Sequence, residues 1–279
     1  MRQFIAQTHL DSKGCLLVEN KKAHYLINVL RLCPGDMLYV RLPDGTLQNM
    51  TVAKIEGDKS SEKKRVILQI AGERKDTASS TKALPVQNKN ELDLWLFQFV
   101  AKPAKMELIV RQACECGVSN IVFVEGKFCQ KGNIDSARKK CLQNDERFSR
   151  IICEAKEQCG SAVDTKILGL YSLSDAISLW KEHNSNQKNL GFVLYEQTLG
   201  TKSIFEAAKN SLVEKINCAS LVVGAEGGIS PEEIELLKNE GFIPIHFNTN
   251  ILRCETASVY GIAAIQTVLL ERELWQFKE

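Results

Sequence analysis

Arg253, Glu255 and Thr256 crowd into one short stretch, Ile251-Leu252-Arg253-Cys254-Glu255-Thr256-Ala257, at the start of a long apolar run. A guanidinium can stabilise charge that develops on a bound group. A carboxylate beside it can take a proton or orient the arginine. Helix capping by Glu255 or Thr256 explains one of these residues, not all three. Upstream lies Gly224-Ala225-Glu226-Gly227-Gly228, directly after apolar 221–223. Such a cluster turns where ordinary residues could not and brings backbone close to a small molecule. Alone it is a weak signal, because many strand-to-helix turns carry glycines for geometry only. The order G-x-G-x-x-G is absent, and no Gly-Lys-Ser/Thr follows. That excludes a dinucleotide fingerprint and a phosphate loop.

The flanking residues say how these groups are held. Residues 221–223 read as a strand. Ser230 then suits a helix cap, Pro231 the first helical position and Glu233 the closing of a capping box. Gly241 fits the end of that helix. Residues 242–247 read as a second strand, followed by the polar turn Asn248-Thr249-Asn250. Two such turns at the carboxyl ends of strands make a small-molecule site in an open α/β sheet. The helix expected over 255–270 carries Val259, Ile262, Ala263, Ala264, Ile265, Val268 and Leu269. It is apolar on more than one face, so it needs burial on two sides, by its own sheet and by something else.

Upstream the same alternation continues. Strands are expected over 92–99, 120–124, 167–170 and 190–195. Helices are expected over 102–116, 135–159 and 174–182. The first of these helices puts Met106, Ile109, Val110 and Ala113 on one face and ends at Gly117. This predicts a largely parallel sheet covered by helices, doubly wound by pattern alone. Residues 72–90 are polar and read as a linker. Before them, apolar runs at 15–18, 37–42, 51–55 and 66–70 are punctuated by Pro34-Gly35-Asp36 and Pro43-Asp44-Gly45. That spacing predicts a small β-barrel with one helical piece over 24–31, Tyr25 and Val29 on its packed face. The domain division is therefore 1–72, a linker over 73–90, and 91–279.

Composition fits a chain with a sizeable core and no membrane span, since no run of about 18 apolar residues exists. The opening residues lack an apolar signal core, so a cytoplasmic location is expected. Ten cysteines are scattered without zinc spacing, which predicts reduced, packed thiols and no metal. Residues 1–75 hold 13 Lys and Arg against 8 Asp and Glu, a net of +5, while the whole chain is +2. A basic small domain beside a slightly acidic one suits an anionic partner such as RNA.

These motifs resemble those of the RsmE family, ribosomal RNA uracil-N3 methyltransferases of the SPOUT class. That family carries Gly-Pro-Glu-Gly-Gly-Phe-Ser and then Leu-Gly-x-Arg-Ile-Leu-Arg-Thr-Glu-Thr-Ala. The counterparts here are 224–230 and 247–257. The resemblance also takes in His24-Tyr25-Leu26 through Arg31, Gly35-Asp36, Lys102 through Glu107, Glu115, Gly117-Val118, Glu154-Ala155 and Glu157-Gln158. Departures are Ala225 for proline, Asn248 for glycine, Asn250 for arginine and Cys254 for threonine. Lys127-Phe128 replaces Arg-Ser, and Ser161 replaces an arginine. The arginines absent at 250 and 161 fall at positions expected to face RNA.

The resemblance implies a trefoil-knotted α/β methyltransferase domain of SPOUT type, preceded by a small PUA-like β-barrel. It implies methyl transfer from S-adenosyl-L-methionine to N3 of a uridine in 16S ribosomal RNA of the small ribosomal subunit, by a homodimer without metal. A divergent enzyme acting on another RNA, or a catalytically weak RNA-binding assembly factor, is the alternative. Tyr195, Glu196, Gly224, Glu226, Gly227, Gly228, Phe247, Asn248, Ile251, Leu252, Thr256 and Ala257 are implied to bind the cofactor. Arg253 is the implied stabiliser of charge, and Glu255 the proton acceptor or the group that orients Arg253. His24, Arg31, Lys102 and Arg111 are implied to meet RNA. Trp95 is read as packing, and His9, His183 and His246 receive no role.

Overall fold

The computed structural model describes residues 3–57, 64–71, 92–142, 146–198, 200–209 and 216–270. The chain forms two compact units, Met1–Gln87 with Lys156–Ala162, and Asn88–Ala155 with Val163–Glu279. The linker expected over 73–90 lies outside the described residues.

The first unit contains β1 (Gln3–Ile5), β2 (Cys15–Glu19), α1 (Asn20–His24), β3 (Met37–Arg41), β4 (Leu47–Glu56) and β5 (Arg65–Ile70). Its sheet has the order β1-β3-β4-β5-β2, with β1 parallel to β3 and the other pairs antiparallel. The β4–β5 register slips between Val52 and Lys54, a bulge that bends and twists the pair. Period-2 alternation sends Leu16, Val18, Met50, Val52, Val66 and Leu68 into one core with Ala23 and Leu26. β1 is only three residues long, too short to show a period.

The helical piece differs from expectation. α1 ends at His24, and Tyr25–Val29 form one wide π turn in which Leu30 N–H bonds the Tyr25 carbonyl at 3.0 Å. The extra residue in that turn breaks the 3.6-residue phase. Leu26 is therefore fully buried and Val29 is 60% exposed, whereas Val29 was expected on the packed face. Arg31 follows with φ 56°, a left-handed conformation that ends the helical run.

The second unit contains β6 (Asp93–Phe99), α2 (Pro103–Glu115), β7 (Asn120–Glu125), α3 (Lys131–Leu142), α4 (Glu146–Cys159), β8 (Lys166–Ser172), α5 (Leu173–His183), β9 (Asn189–Leu194), α6 (Ile204–Ala208), β10 (Cys218–Val223), α7 (Pro231–Asn239), β11 (Ile243–Ile245) and α8 (Cys254–Leu270). The sheet is parallel throughout, in the order β11-β9-β10-β6-β7-β8. Both of its faces are covered, as parallel sheets require. Leu94 and Leu96 of β6 join α2, α3, α4, α6 and α8 in one core. Trp95, Phe97 and Phe99 point the other way, into a core with α5 and α7. Trp95 is fully buried and gives its ring N–H to Asp93 Oδ2 at 2.9 Å, so it packs as expected.

The long helix expected over 135–159 is two helices, α3 and α4. Ile134, Ala137 and Cys141 run in phase with Phe148, Ile151 and the buried Ala155, and the first five contribute to one core. Periodicity alone therefore reads straight through the break. α6 was also missed, although Ser203 and Glu206 form a complete capping box at its start.

Candidate functional site

β9, β10 and β11 run parallel, so the segments after them emerge at one edge of the sheet. With the start of α8 they line a cleft of about 460 Å³. A cleft at the carboxyl ends of parallel strands, beside a crossover in strand order, is the usual ligand site of open α/β sheets.

The glycine loop doubles back at once. Gly228 N–H bonds the Ala225 carbonyl at 3.0 Å. A Cβ on Gly224 would stand 2.8 Å from the Gly228 carbonyl carbon, so the two backbone strands of the loop touch. Gly228 has φ 76°, and a Cβ there would lie 3.4 Å from Glu196 Oε1 across the cleft. The loop ends in the expected capping box: Ser230 N–H donates to Glu233 Oε2 at 2.8 Å, and Glu233 N–H to Ser230 Oγ at 3.3 Å. Glu233 Oε1 also accepts Lys127 N–H at 2.7 Å, which fastens the segment after β7 to the same helix start.

A buried amide ties the loop to the sheet and to α8. Gln98 on β6 is fully buried. Its amide nitrogen donates to the carbonyls of Phe99, Gly224 and Val223 at 3.0, 3.3 and 3.4 Å. Its oxygen accepts the Ser258 hydroxyl at 2.7 Å. A buried side-chain network of this kind fixes geometry because each unmade bond is costly. The sequence signal was present, a lone amide inside an apolar strand, yet nothing in the sequence pointed to its partners.

Tyr195, Glu196, Gly224, Glu226, Gly227 and Gly228 line the cleft. So do Phe247, Asn248, Ile251, Leu252 and Ala257. Thr256 does not; it sits on the exposed side of α8, in a stripe with Tyr260, Ala263, Thr267 and Leu270. Its position two residues from Cys254, which lines the cleft, turns it more than half a helical turn away. Arg253 and Glu255 are outside the lining as well. Arg253 is exposed between two lining residues, Leu252 and Cys254; its carbonyl accepts the Ala257 N–H at 2.7 Å, while its guanidinium has no hydrogen bond or ion pair among the described residues. Glu255 does not meet Arg253. It pairs with Lys105 of α2, whose Nζ lies 3.0 Å from Glu255 Oε2 and 3.5 Å from Glu226 Oε1.

Burial pushes the Glu255 carboxyl up, but its own backbone N–H, Lys105 and the Cys254 thiol outweigh it and hold it below its ordinary value. Burial raises the Cys254 thiol to about 12, with the neighbouring Glu255 carboxylate adding to it, so this thiol stays a donor. His246, unassigned from sequence, also lines the cleft. Its Nδ1 is 2.6 Å from Thr201 Oγ1, whose single proton satisfies the Thr198 carbonyl at 2.8 Å.

Residues 88–266 match the model of the RNA methyltransferase domain family. The chain belongs to this family. The enzyme is similar over nearly its full length to the ribosomal RNA small subunit methyltransferase E 2 of Borreliella burgdorferi: 27% identical, covering 96% of this chain and 98% of that one. The ribosomal RNA small subunit methyltransferase E of Buchnera aphidicola subsp. Acyrthosiphon pisum is 30% identical over 64% of this chain and 65% of its own. In fold, the methyltransferase is similar to the crystal structure of a ribosomal RNA small subunit methyltransferase E from Neisseria gonorrhoeae bound to S-adenosyl methionine. The TM-score is 0.69 at 20% identity, covering 96% of this chain and 98% of that one. The resemblance to the RsmE family read from the motifs is thereby borne out.

The residues implied to meet RNA are all exposed, His24 and Arg31 in the first unit of the methyltransferase and Lys102 and Arg111 in the second. Ser161 is different: it is buried, and its carbonyl accepts the Gln3 side-chain amide at 3.2 Å. That position is a structural anchor in the first unit, not the RNA-facing surface expected for it. Among the described residues no helix is long and apolar enough to cross a membrane.

Proposed function

We propose that this methyltransferase transfers the methyl group of S-adenosylmethionine to N3 of a uridine in 16S ribosomal RNA. The observation that carries this reading is the cleft built from residues 194–198, 224–229 and 245–252, joined to relatives whose names state small-subunit ribosomal RNA methylation. The residues present fit the cofactor. About 460 Å³ suits a ligand of that size. The doubled-back loop offers bare backbone, while Phe247, Ile251 and Leu252 offer apolar walls. Glu196 and Glu226, with Glu255 nearby, supply negative charge suited to a sulfonium cation.

When bound, the cofactor supplies an activated methyl group. The chain's own residues orient, exclude water and manage charge. Gln98 and the Ser230–Glu233 box hold the loop rigid, so that cofactor and base meet in line. The Arg253 guanidinium, exposed and without a protein partner among the described residues, is available to the delocalised charge of a uracil that has lost its N3 proton. The base reaches the cleft unpaired or out of its stack.

Finer features go with this reading. The first unit is taken as a PUA-like barrel that grips RNA, supported by its curled five-stranded sheet, its bulge and its basic balance. A trefoil knot in the C-terminal segment is taken with it, supported by β10 lying inside the sheet while β11 lies outside β9. A two-fold dimer is supported by the exposed stripe on α8, where Tyr260 is 45% and Leu270 44% exposed. Ribosomal RNA as substrate places the work in the cytoplasm. Calorimetry is expected to give one S-adenosylmethionine site per chain without added metal. Mass spectrometry of small-subunit ribosomal RNA from a deletion strain is expected to lack one methyluridine. An unchanged nucleotide inventory would sink the proposal. Light scattering at micromolar concentration is expected to give twice the mass of one chain, and a fully active monomer would remove the dimer.

A further inference from the structure

The Lys105 ammonium is shared by two carboxylates from different elements. Glu226 comes from the tip of the glycine loop and Glu255 from the first turn of α8. Glu226 Oε1 also accepts the backbone N–H of Lys102 at 3.3 Å, at the start of α2, where the helix end carries partial positive charge. The Cys254 thiol donates to Glu255 at 3.3 Å and lies 3.8 Å from Lys105 Nζ. The three charged side chains are half-buried, with exposures of 25% for Lys105, 33% for Glu226 and 16% for Glu255. Lone exposed ion pairs contribute little. This arrangement differs, because one cation bridges two carboxylates that would otherwise repel across the edge of the cleft.

We propose that Lys105 is a positioning residue that ties the glycine loop to the first turn of α8 through Glu226 and Glu255, so that two walls of the cleft are set before ligand enters. The inference deepens the functional reading above and rests on it for the identity of the ligand. It also assigns Glu255. A carboxylate committed to Lys105 and to a thiol donor anchors the helix start; it is not the base that takes the N3 proton. Without Lys105 the two carboxylates repel, the loop moves off α8, and the cleft must be reassembled at each binding event.

The test uses the full-length protein with Lys105→Met, Lys105→Arg, Glu255→Gln and the double variant Lys105→Met/Glu255→Gln. The first readout needs no ligand. Amide hydrogen exchange of 224–228 and of 254–258 is expected to speed up together in Lys105→Met and to stay near wild type in Lys105→Arg. The second is calorimetric titration with S-adenosylmethionine. Lys105→Met is expected to weaken binding about tenfold and Lys105→Arg less than about threefold. The double variant is expected to bind no worse than Lys105→Met, because the pair acts as one unit. Unchanged exchange in Lys105→Met overturns the tie, as does an arginine variant as damaged as the methionine one. Multiplying effects of Lys105→Met and Glu255→Gln overturn it too. A wild type that takes up no S-adenosylmethionine overturns the functional reading alone, since the exchange result still decides the tie.

Discussion

Gly228→Val is expected to abolish S-adenosylmethionine binding in a protein that remains folded. Gly228 has φ 76°, where an L residue costs about 1–2 kcal/mol and a β-branched one more. Its missing side chain also faces the ligand space: a Cβ would stand 3.4 Å from Glu196 Oε1, and the valine methyls would reach further into the cleft. Strain moves the loop and bulk fills the space left. Calorimetry should show affinity weakened about a hundredfold or more, roughly 3 kcal/mol. The melting temperature should fall by only about 5 °C, because the strained residue is one of many in a large unit. Gly228→Ala should fall between wild type and valine. Wild-type affinity in a folded Gly228→Val protein would move the cofactor elsewhere.

Arg253→Ala is expected to cut turnover about a hundredfold, near 3 kcal/mol, the typical effect of removing one preorganised donor. Affinity for S-adenosylmethionine should stay within about twofold, because the Arg253 side chain is outside the cleft lining and bonds no described residue that shapes it, and the alanine variant keeps the backbone bond to Ala257. Single-turnover kinetics with small-subunit ribosomal RNA separates the two effects. Near-normal turnover by a variant that has lost cofactor affinity would make Arg253 a cofactor ligand.

Much of this architecture was legible because it is local. The capping box of Ser230 and Glu233 needs only four neighbouring residues, and the apolar run of β6 needs only seven. The cleft was legible because turn residues fall at the ends of their strands, Gly224 directly after β10 and Asn248 three residues past β11. What was hidden depends on distance or on broken periodicity. Lys105 and Gln98 act on partners more than 100 residues away, Glu226, Glu255 and Ser258 among them. His246 acquires its place only when β11 settles beside β9. Thr256 was read as part of the Arg-Cys-Glu-Thr motif, but the rotation of α8 turns it out of the cleft. The π turn at Tyr25–Val29 hid Leu26 because a 3.6-residue template has no room for an extra residue.

The position of β10 in the sheet has a consequence for synthesis. Its residues 218–223 pair on one side with β6, at Leu221 and Leu96, and on the other with β9, at Leu221 and Phe192. The ribosome therefore makes β6, β7, β8 and β9 well before the strand that joins them. Until residue 223 has left the exit tunnel, the nascent chain holds one piece of sheet, β6-β7-β8, and a lone β9, because β11 follows β10 in sequence. The inner edge of β6 and both edges of β9 have open hydrogen-bonding groups, where a chaperone or another nascent chain can pair. Closure then waits on contacts far apart in sequence, which makes it slow. A ribosome stall just before residue 218 should thus leave a protease-sensitive, aggregation-prone product, whereas one after α8 should release a protected one.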